Sequence, residues 1–209
     1  WRFKCRPTSL CNLVWRTMRM PENMEIERRF IVDAREEKPW RAAGEAVSIE
    51  QHYGVGEWLA VGDNALTHEG HVVAAVSEQQ RRHLNEVSDW TTRLRRKNAT
   101  YILTYKSRLT KDTSLELEWT VSSEMAERLL ENGPFPSVRK TRYVVTRPDG
   151  FVWEVDEFEG ALAGLVLAEV ELQSSDQSVT MPEWIGHEIT GLSSWSNRAL
   201  AETLARESA

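Results

Sequence analysis

The sequence predicts one α+β domain built on an antiparallel sheet that closes into a barrel. Three observations support this fold class. Seven or eight short segments alternate apolar and polar residues with the two-residue period of β-strands. Only two or three segments have helical spacing, and no repeat or low-complexity linker divides the 209 residues. For this many strands, closure into a barrel is the commonest way to leave no free sheet edge.

The first predicted strand covers residues 24–32, with the sequence MEIERRFIV. Its alternation places Glu25, Glu27 and Arg29 on one face and mainly apolar residues on the other. A loop follows at 33–44, and a second strand is predicted at 47–53.

The segment from residue 54 to residue 89 is the least regular part of the domain. It mixes glycines with short apolar runs, which is typical of a loop or a hairpin. Valines and Leu84 recur at helical spacing further on, so the pattern predicts a helix over 72–87. We interpret 54–89 as an insertion in the domain.

The remaining chain is a series of amphipathic strands with two helices. Residues 122–132 begin with serines and are followed by Gly133 and Pro134, which predicts a helix with both end signals. A C-terminal helix is predicted at 194–207, and a capping segment at 182–190. The predicted strands are 91–97, 100–107, 114–121, 138–147, 151–158 and 165–173.

Charge is distributed unevenly along the chain, whose net charge is −6. Residues 1–20 contain five basic and no acidic residues, so we expect 1–23 to be a disordered basic leader and 24–209 to be the acidic domain. An acidic domain argues against polymeric nucleic acid as a partner. No run of 18 apolar residues occurs, and two cysteines form no zinc or disulfide pattern. We therefore expect a cytoplasmic protein without a membrane partner, either a monomer or a homodimer.

Six pairs of like charges stand two residues apart on predicted strands. Such neighbours lie ~6.7 Å apart and repel by ~0.6 kcal/mol in water, or ~2.5 kcal/mol at an effective dielectric constant of 20. One interpretation is a solvated outer sheet face. The other is a charged barrel interior, in which carboxylates suit hard cations and basic side chains suit phosphate oxygens. The pairs are Glu25/Glu27, Arg93/Arg95, Glu116/Glu118, Lys140/Arg142, Glu154/Asp156 and Glu169/Glu171.

These residues resemble the motifs of the CYTH superfamily, the triphosphate tunnel metalloenzymes, and particularly its small bacterial inorganic triphosphatases. The resemblance covers roughly residues 24–53 and 90–205, and it implies an eight-stranded antiparallel barrel with helices packed outside. The matching motifs are ExExK as Glu25-Ile26-Glu27-Arg28-Arg29, R-x-R as Arg93-Leu94-Arg95, T-x-K as Thr104-Tyr105-Lys106, E-x-E as Glu116-Leu117-Glu118, KTRY at 140–143, WEVDEF at 153–158, GLVLAEVEL at 164–172 and PEWIGHEIT at 182–190.

The resemblance implies hydrolysis of inorganic tripolyphosphate, with Mg²⁺ or Mn²⁺ as cofactor and overlapping sets of site residues. The implied catalytic residues are Glu25, Glu27, Glu118, Asp156 and Glu171. The implied substrate-binding residues are Arg29, Arg93, Arg95, Lys106, Lys140 and Arg142. The implied metal ligands are Glu25, Glu27, Glu116, Glu118, Glu169 and Glu171.

The chain departs from the family pattern in four places. Arg29 replaces the motif lysine, and Ser114 and Ser194 stand where relatives often carry a basic residue. The fourth departure is the insertion at 54–89. The first three concern phosphate ligands, so they bear on substrate choice more than on fold.

Other functions remain open at this point. Within the family, the rivals are an organic triphosphatase acting on thiamine or nucleoside triphosphate, and a class IV adenylate cyclase. Outside it, the rivals are a non-catalytic polyphosphate- or nucleotide-binding module and a purely structural barrel. The acidic residues favour an enzyme over the binding module, because anion binding alone does not need them.

Overall fold

A computed structural model gives the structure of residues 23–35, 37–55 and 58–207. The predicted leader therefore lies outside the described residues, except for Asn23. Among the described residues, no helix is both long enough and apolar enough to cross a membrane.

The described residues form twelve strands, most of which the alternation of apolar and polar residues predicts. The predicted strand at 24–32 is confirmed over its whole length, and the others agree to within a few residues at each end. The strands are β1 (Met24–Val32), β2 (Glu45–Tyr53), β3 (Ala60–Val61), β4 (Ala65–His68), β5 (His71–Ala75), β6 (Thr91–Lys97), β7 (Thr100–Arg108), β8 (Thr113–Val121), β9 (Ser137–Thr146), β10 (Val152–Phe158), β11 (Val166–Leu172) and β12 (Ile185–Glu188).

Eight antiparallel strands close into a barrel, which confirms the predicted fold class. Their order around the barrel is β1-β8-β7-β6-β2-β9-β10-β11, and β11 pairs back with β1. The closing contact runs from Ile26 opposite Leu172 to Ile31 opposite Leu167. On its other side, β1 pairs with β8 only from Met24 to Ile26, and β12 pairs with the later part of β1. The capping segment predicted at 182–190 thus contributes a strand.

In the part of the chain that the structure describes, four helices and two 3₁₀ turns accompany the barrel. The helix predicted at 122–132 is confirmed as α3, where the Ser122 hydroxyl accepts a hydrogen bond from the Met125 amide. The short helix α1 lies where a loop is predicted, because Trp40 anchors this segment in the core. The helices are α1 (Trp40–Ala43), α2 (Glu78–Glu86), α3 (Ser123–Glu131) and α4 (Asn197–Glu207), and the turns are Gly160–Leu162 and Ser193–Trp195.

The insertion is a folded unit made of the sheet β3-β4-β5 and helix α2. The predicted helix over 72–87 is wrong in its first half. Residues 71–75 form β5 in a hairpin with β4, and α2 starts only after Ser77, whose side chain and that of Gln80 form a capping box. The spacing of the valines fits a strand as well as a helix, and short apolar runs are ambiguous in this way.

Apolar side chains pack on the outside of the barrel, while the charged faces of the strands turn inward. One outer cluster contains Phe30, Trp40 and Trp153, with the Phe30 and Trp153 ring centroids 5.6 Å apart. A second cluster joins Trp58 and Leu66 of the insertion to the barrel strands and to α3. A third cluster differs from these two, because Phe158 and Leu167 lie on the inward faces of β10 and β11; it fills one end of the barrel and packs against α4. Barrel, insertion and helices therefore share continuous apolar contacts.

We predict that the insertion unfolds together with the barrel. Leu66 is fully buried in the shared cluster, so Leu66→Ala should lower the free energy of unfolding by about 2–5 kcal/mol. Val61 is 45% exposed in the same small sheet, and Val61→Ala should change the free energy of unfolding by less than about 0.5 kcal/mol. Urea unfolding monitored by tryptophan fluorescence measures both. An unchanged main transition for Leu66→Ala would mean that the insertion folds independently.

Candidate active site

The inward faces of the strands enclose a cavity of about 1100 Å³. Strand alternation places every second residue of each strand in this interior, which is why the like-charge pairs lie there rather than on an outer face. Eleven of the thirteen predicted site residues line the cavity: Glu25, Glu27, Arg29, Arg93, Arg95, Lys106, Glu116, Glu118, Arg142, Glu169 and Glu171.

The other two predicted site residues, Lys140 and Asp156, do not line the cavity but form a buried ion pair beside it. Both side chains are at most 1% exposed, and the Lys140 ammonium lies 5.5 Å from the Phe158 ring centroid. Burial lowers the pKa of Lys140 to about 8. Asp156 accepts hydrogen bonds from Arg142 Nε at 2.6 Å and Nη2 at 2.7 Å. The Lys140–Asp156 pair therefore fixes the orientation of the Arg142 side chain.

Lys106 is surrounded by three carboxylates. Its Nζ lies 2.7 Å from Glu25, 2.5 Å from Glu116 and 3.7 Å from Glu27. Burial raises the pKa of Glu25 to about 9 against the opposing effect of Lys106, and the neighbouring charges of Glu116 and Glu27 raise it further. Burial also acts to raise the pKa of Glu116, but Lys106 and Arg93 prevail and lower it to about 2. The pKa values of the two neighbouring carboxyl groups are thus shifted in opposite directions.

Arg93 and Arg95 form a positive part of the interior that is only partly neutralised. Their Nη2 atoms share one oxygen, Oε1 of Glu118, at 3.4 and 3.1 Å. The Nε atom of each is buried and has no hydrogen-bond partner among the described residues. Burial lowers the pKa of Arg95, and the neighbouring charge of Arg93 lowers it further. Two guanidinium groups therefore retain donors for an anion.

Carboxylates face each other across neighbouring strands on the acidic side of the cavity. Glu27 is opposite Glu171, and Glu154 is opposite Glu169. Like charges directly opposite destabilise a sheet unless something neutralises them. Arg142 contacts both members of the second pair, whereas no described residue forms a salt bridge with Glu171. The Glu27/Glu171 pair is therefore the least neutralised negative part of the interior.

Glu169 is neutralised on two sides. Arg29 Nε lies 2.7 Å from its Oε1, and Arg142 Nη2 lies 3.1 Å from its Oε2. Burial acts to raise the pKa of Glu169, but these two guanidinium groups lower it well below its usual value. Among the predicted metal ligands, Glu169 and Glu118 thus have arginine contacts of 2.7 and 3.1 Å, whereas Glu116 has a longer one, 3.8 Å from Arg93.

The described residues contain no ready-made cluster of three His, Cys, Asp or Glu side chains that could hold a metal ion. Two observations nonetheless indicate that the carboxylates could bind a divalent cation. Glu25, Glu27 and Glu116 already surround one cation, the Lys106 ammonium. Glu171 adds a carboxylate without a salt-bridge partner among the described residues, and carboxylate oxygens are the ligands that Mg²⁺ and Mn²⁺ prefer.

The structure also brings residues to the cavity that the predicted site omits. Glu154, Gln51 and Tyr53 line it, as their alternation with buried neighbours could have indicated. Arg108 and Arg198 line it too. Arg198 lies in the first turn of α4, and its Nη1 donates to Thr91 Oγ1 at 3.1 Å. No strand periodicity could have identified Arg198, because a helix carries it to the cavity.

Two of the residues that depart from the family pattern, Ser114 and Ser194, lie in different surroundings in the structure. Ser114 is buried and donates to Glu25 at 3.5 Å. Ser194 is exposed in the turn before α4 and does not line the cavity. Arg198, four residues later, supplies a positive charge on that side.

Comparison with known proteins gives one family and several similar chains. The model of the CYTH domain family matches residues 82–205. An inorganic triphosphatase of Acetivibrio thermocellus is 39% identical over 107 residues, which cover 49% of this chain and 66% of that protein. An inorganic triphosphatase of Nitrosomonas europaea is 37% identical over 113 residues, covering 52% of this chain and 73% of that protein. A crystal structure of an inorganic triphosphatase, at 28% identity, covers 85% of this chain and 93% of its own, with a TM-score of 0.49.

We predict that Asp156 is a structural support whose loss destabilises the fold. Asp156→Asn leaves Lys140 and Arg142 without their buried counter-charge, which should cost about 3–5 kcal/mol. Lys140 and Arg142 lower the pKa of Asp156 despite its burial. Its contribution is therefore complete above the usual carboxyl pKa and is lost as the pH falls through the lowered value.

Urea unfolding of both proteins between pH 7 and pH 3 tests this prediction. The difference in the free energy of unfolding should be constant near neutrality and shrink in acid. Glu171→Gln is the control, because removing one of two opposed carboxylates should leave stability equal or higher. Equal stability of Asp156→Asn and the wild type at pH 7 would contradict the prediction.

Proposed function

The chain belongs to the CYTH family, and from this premise we propose that it hydrolyses inorganic tripolyphosphate with the help of a divalent metal ion. The observation that carries the proposal is the separation of charge inside one cavity. Arg93 and Arg95 keep unpaired donors on one side. On the other side Glu27 is opposite Glu171, and only Lys106, at 3.7 Å from Glu27, forms a salt bridge with either carboxylate among the described residues. A linear polyphosphate with its metal ion would match both groups, because its oxygens accept hydrogen bonds from the arginines and its metal ion neutralises the carboxylates.

The basic residues would bind and orient the phosphate chain. Arg93 and Arg95 offer free N–H donors, and Arg29 Nη2 is likewise buried without a partner among the described residues. Arg142 is fixed by Asp156 and Glu169, so it would present its charge with little reorganisation. Positioning and charge neutralisation supply most of the rate in phosphoryl transfer. We propose this role for the arginines and an indirect role for Lys140, through Asp156.

The acidic residues would hold the cation and handle the proton. Glu25, Glu27, Glu116 and Glu171 are the proposed ligands, because the arginine contacts of Glu118 and Glu169, at 3.1 and 2.7 Å, are closer than the 3.8 Å between Arg93 and Glu116. A bound Mg²⁺ or Mn²⁺ supplies neutralisation of the phosphoryl oxygens. Lys106 would leave the carboxylates for a phosphate oxygen when the cation arrives. Glu171, free of salt bridges with described residues, is the side chain we propose as proton acceptor for the attacking water.

Phosphate-release assays test the proposal against its rivals. The substrates are tripolyphosphate, pyrophosphate, ATP and thiamine triphosphate, each with Mg²⁺, with Mn²⁺ and with a chelator. We expect turnover of tripolyphosphate that requires a metal. A preference for thiamine triphosphate or ATP would favour an organic triphosphatase. Cyclic AMP as the main product would favour a cyclase, and binding without turnover would favour a non-catalytic module.

Cytoplasmic location and a monomeric or homodimeric state remain predictions.

We predict that Glu27→Gln and Glu171→Gln each reduce turnover of tripolyphosphate by about a hundredfold or more, because each removes a charged oxygen ligand of a hard cation. Glu183→Gln, an exposed carboxylate outside the cavity, is the matched control and should behave as wild type. Initial rates at saturating metal measure the effect. Near-normal activity of both cavity variants would show that the acidic pair is not the metal site.

We also predict that Arg198 contributes to substrate binding. Arg198→Ala should raise KM for tripolyphosphate about three- to tenfold, because a half-exposed guanidinium gives less than the ~1.5–3 kcal/mol of a buried charged hydrogen bond. The value of kcat should change little. Arg206→Ala, on the same helix and away from the cavity, is the control. Equal KM values for both variants would exclude Arg198 from the site.

A further inference from the structure

Strand β2 gives the cavity an uncharged wall between two basic strands. It contributes Ile49, Gln51 and Tyr53 to the lining. Its neighbours are β6, which carries Arg93 and Arg95, and β9, which carries Arg142. The only amide on this wall among the described residues is that of Gln51.

Gln51 is buried without the hydrogen bond that a buried amide needs. The residue is 1% exposed, and its Oε1 has no partner among the described residues. Leaving a buried polar group unsatisfied costs about 1–3 kcal/mol, and an apolar side chain of the same size would avoid this cost. Because the side chain lines the cavity, its amide can be satisfied by a neighbouring side chain of the cavity and by a molecule that occupies it.

The register shows which neighbour the amide can use. Gln51 is directly opposite Arg95 on β6, and Arg95 Nε is itself buried without a partner among the described residues. Opposite side chains in antiparallel strands start about 4.5–5.5 Å apart at Cβ, so the amide oxygen is within reach of the guanidinium. An amide also carries two N–H donors, which remain available for an oxygen of a ligand.

We propose that Gln51 is a substrate-binding residue. Its amide nitrogen donates a hydrogen bond to a phosphoryl oxygen, and its amide oxygen accepts one from Arg95 and fixes that guanidinium in the phosphate-binding orientation. The inference rests on the proposed polyphosphate substrate and adds a binding residue to it. An uncharged donor suits this position, because another cation beside Arg93, Arg95 and Arg142 would increase the repulsion that these groups already experience.

Two variants of Gln51 and one control test the inference. Gln51→Leu removes donor and acceptor at similar size, and Gln51→Glu keeps the shape but adds a negative charge. Gln79→Leu makes the same chemical change at an exposed position of α2. Steady-state kinetics with tripolyphosphate, calorimetric binding of tripolyphosphate in the presence of a chelator, and thermal melting are measured for all three and for the wild type.

We expect Gln51→Leu to weaken binding and raise KM about tenfold, which corresponds to about 1.4 kcal/mol. The kcat value should stay within about threefold, and Tm should be unchanged or higher because an unsatisfied amide is removed. Gln51→Glu should weaken binding more strongly than Gln51→Leu. Gln79→Leu should match the wild type.

Two results would overturn the inference. One is unchanged binding and KM in Gln51→Leu. The other is a lowered Tm with activity reduced only in proportion to the folded fraction, since that pattern marks a structural role. The proposed function fails separately: a wild type that binds tripolyphosphate with chelator but never hydrolyses it would refute the activity while leaving the binding role of Gln51 testable by calorimetry.

Discussion

The structure depends on the neutralisation of many charges inside a closed barrel. Each buried charge would cost several kcal/mol if it stood alone. The cross-strand register neutralises most of these charges, because it sets Lys106 opposite Glu116 and Arg142 opposite Asp156. The compensation is incomplete at Arg95 and at Glu171, on opposite sides of the cavity. These two residues are where a ligand of mixed charge gains most from binding.

The interior uses its charged groups in two different ways. Lys140, Asp156 and Arg142 form a buried, closely paired group that fixes geometry. Lys106 and its three carboxylates form a looser group whose ammonium can be exchanged for another cation. Fixed charges reduce the reorganisation that a reaction requires, and exchangeable ones allow the ligand to enter. The family motifs do not distinguish these roles, since all of these residues appear in them as equally charged positions.

Much of the fold and the site follows from alternation and charge pairing in the sequence. The strand at 24–32 and the helix at 122–132 were predictable because periodicity and capping signals are local. The start of α2 was not, since Val72 and Val73 fit a strand as well as a helix. The burial of Lys140 and Asp156 away from the cavity depends on how deep each strand position lies in the barrel. Arg198 reaches the site through tertiary packing of α4, which no local pattern encodes.

The pairing of β1 with β11 has a consequence for how the protein is made. These strands are far apart in the sequence, so the barrel cannot close until the chain up to the end of β11 at Leu172 has left the ribosome. Such long-range pairings give a high contact order and slow folding. Until closure, the inward faces remain hydrated and their like charges are screened by water. The repulsion between Glu27 and Glu171 arises only when this pairing forms, so a divalent cation that binds both carboxylates would stabilise the closed barrel.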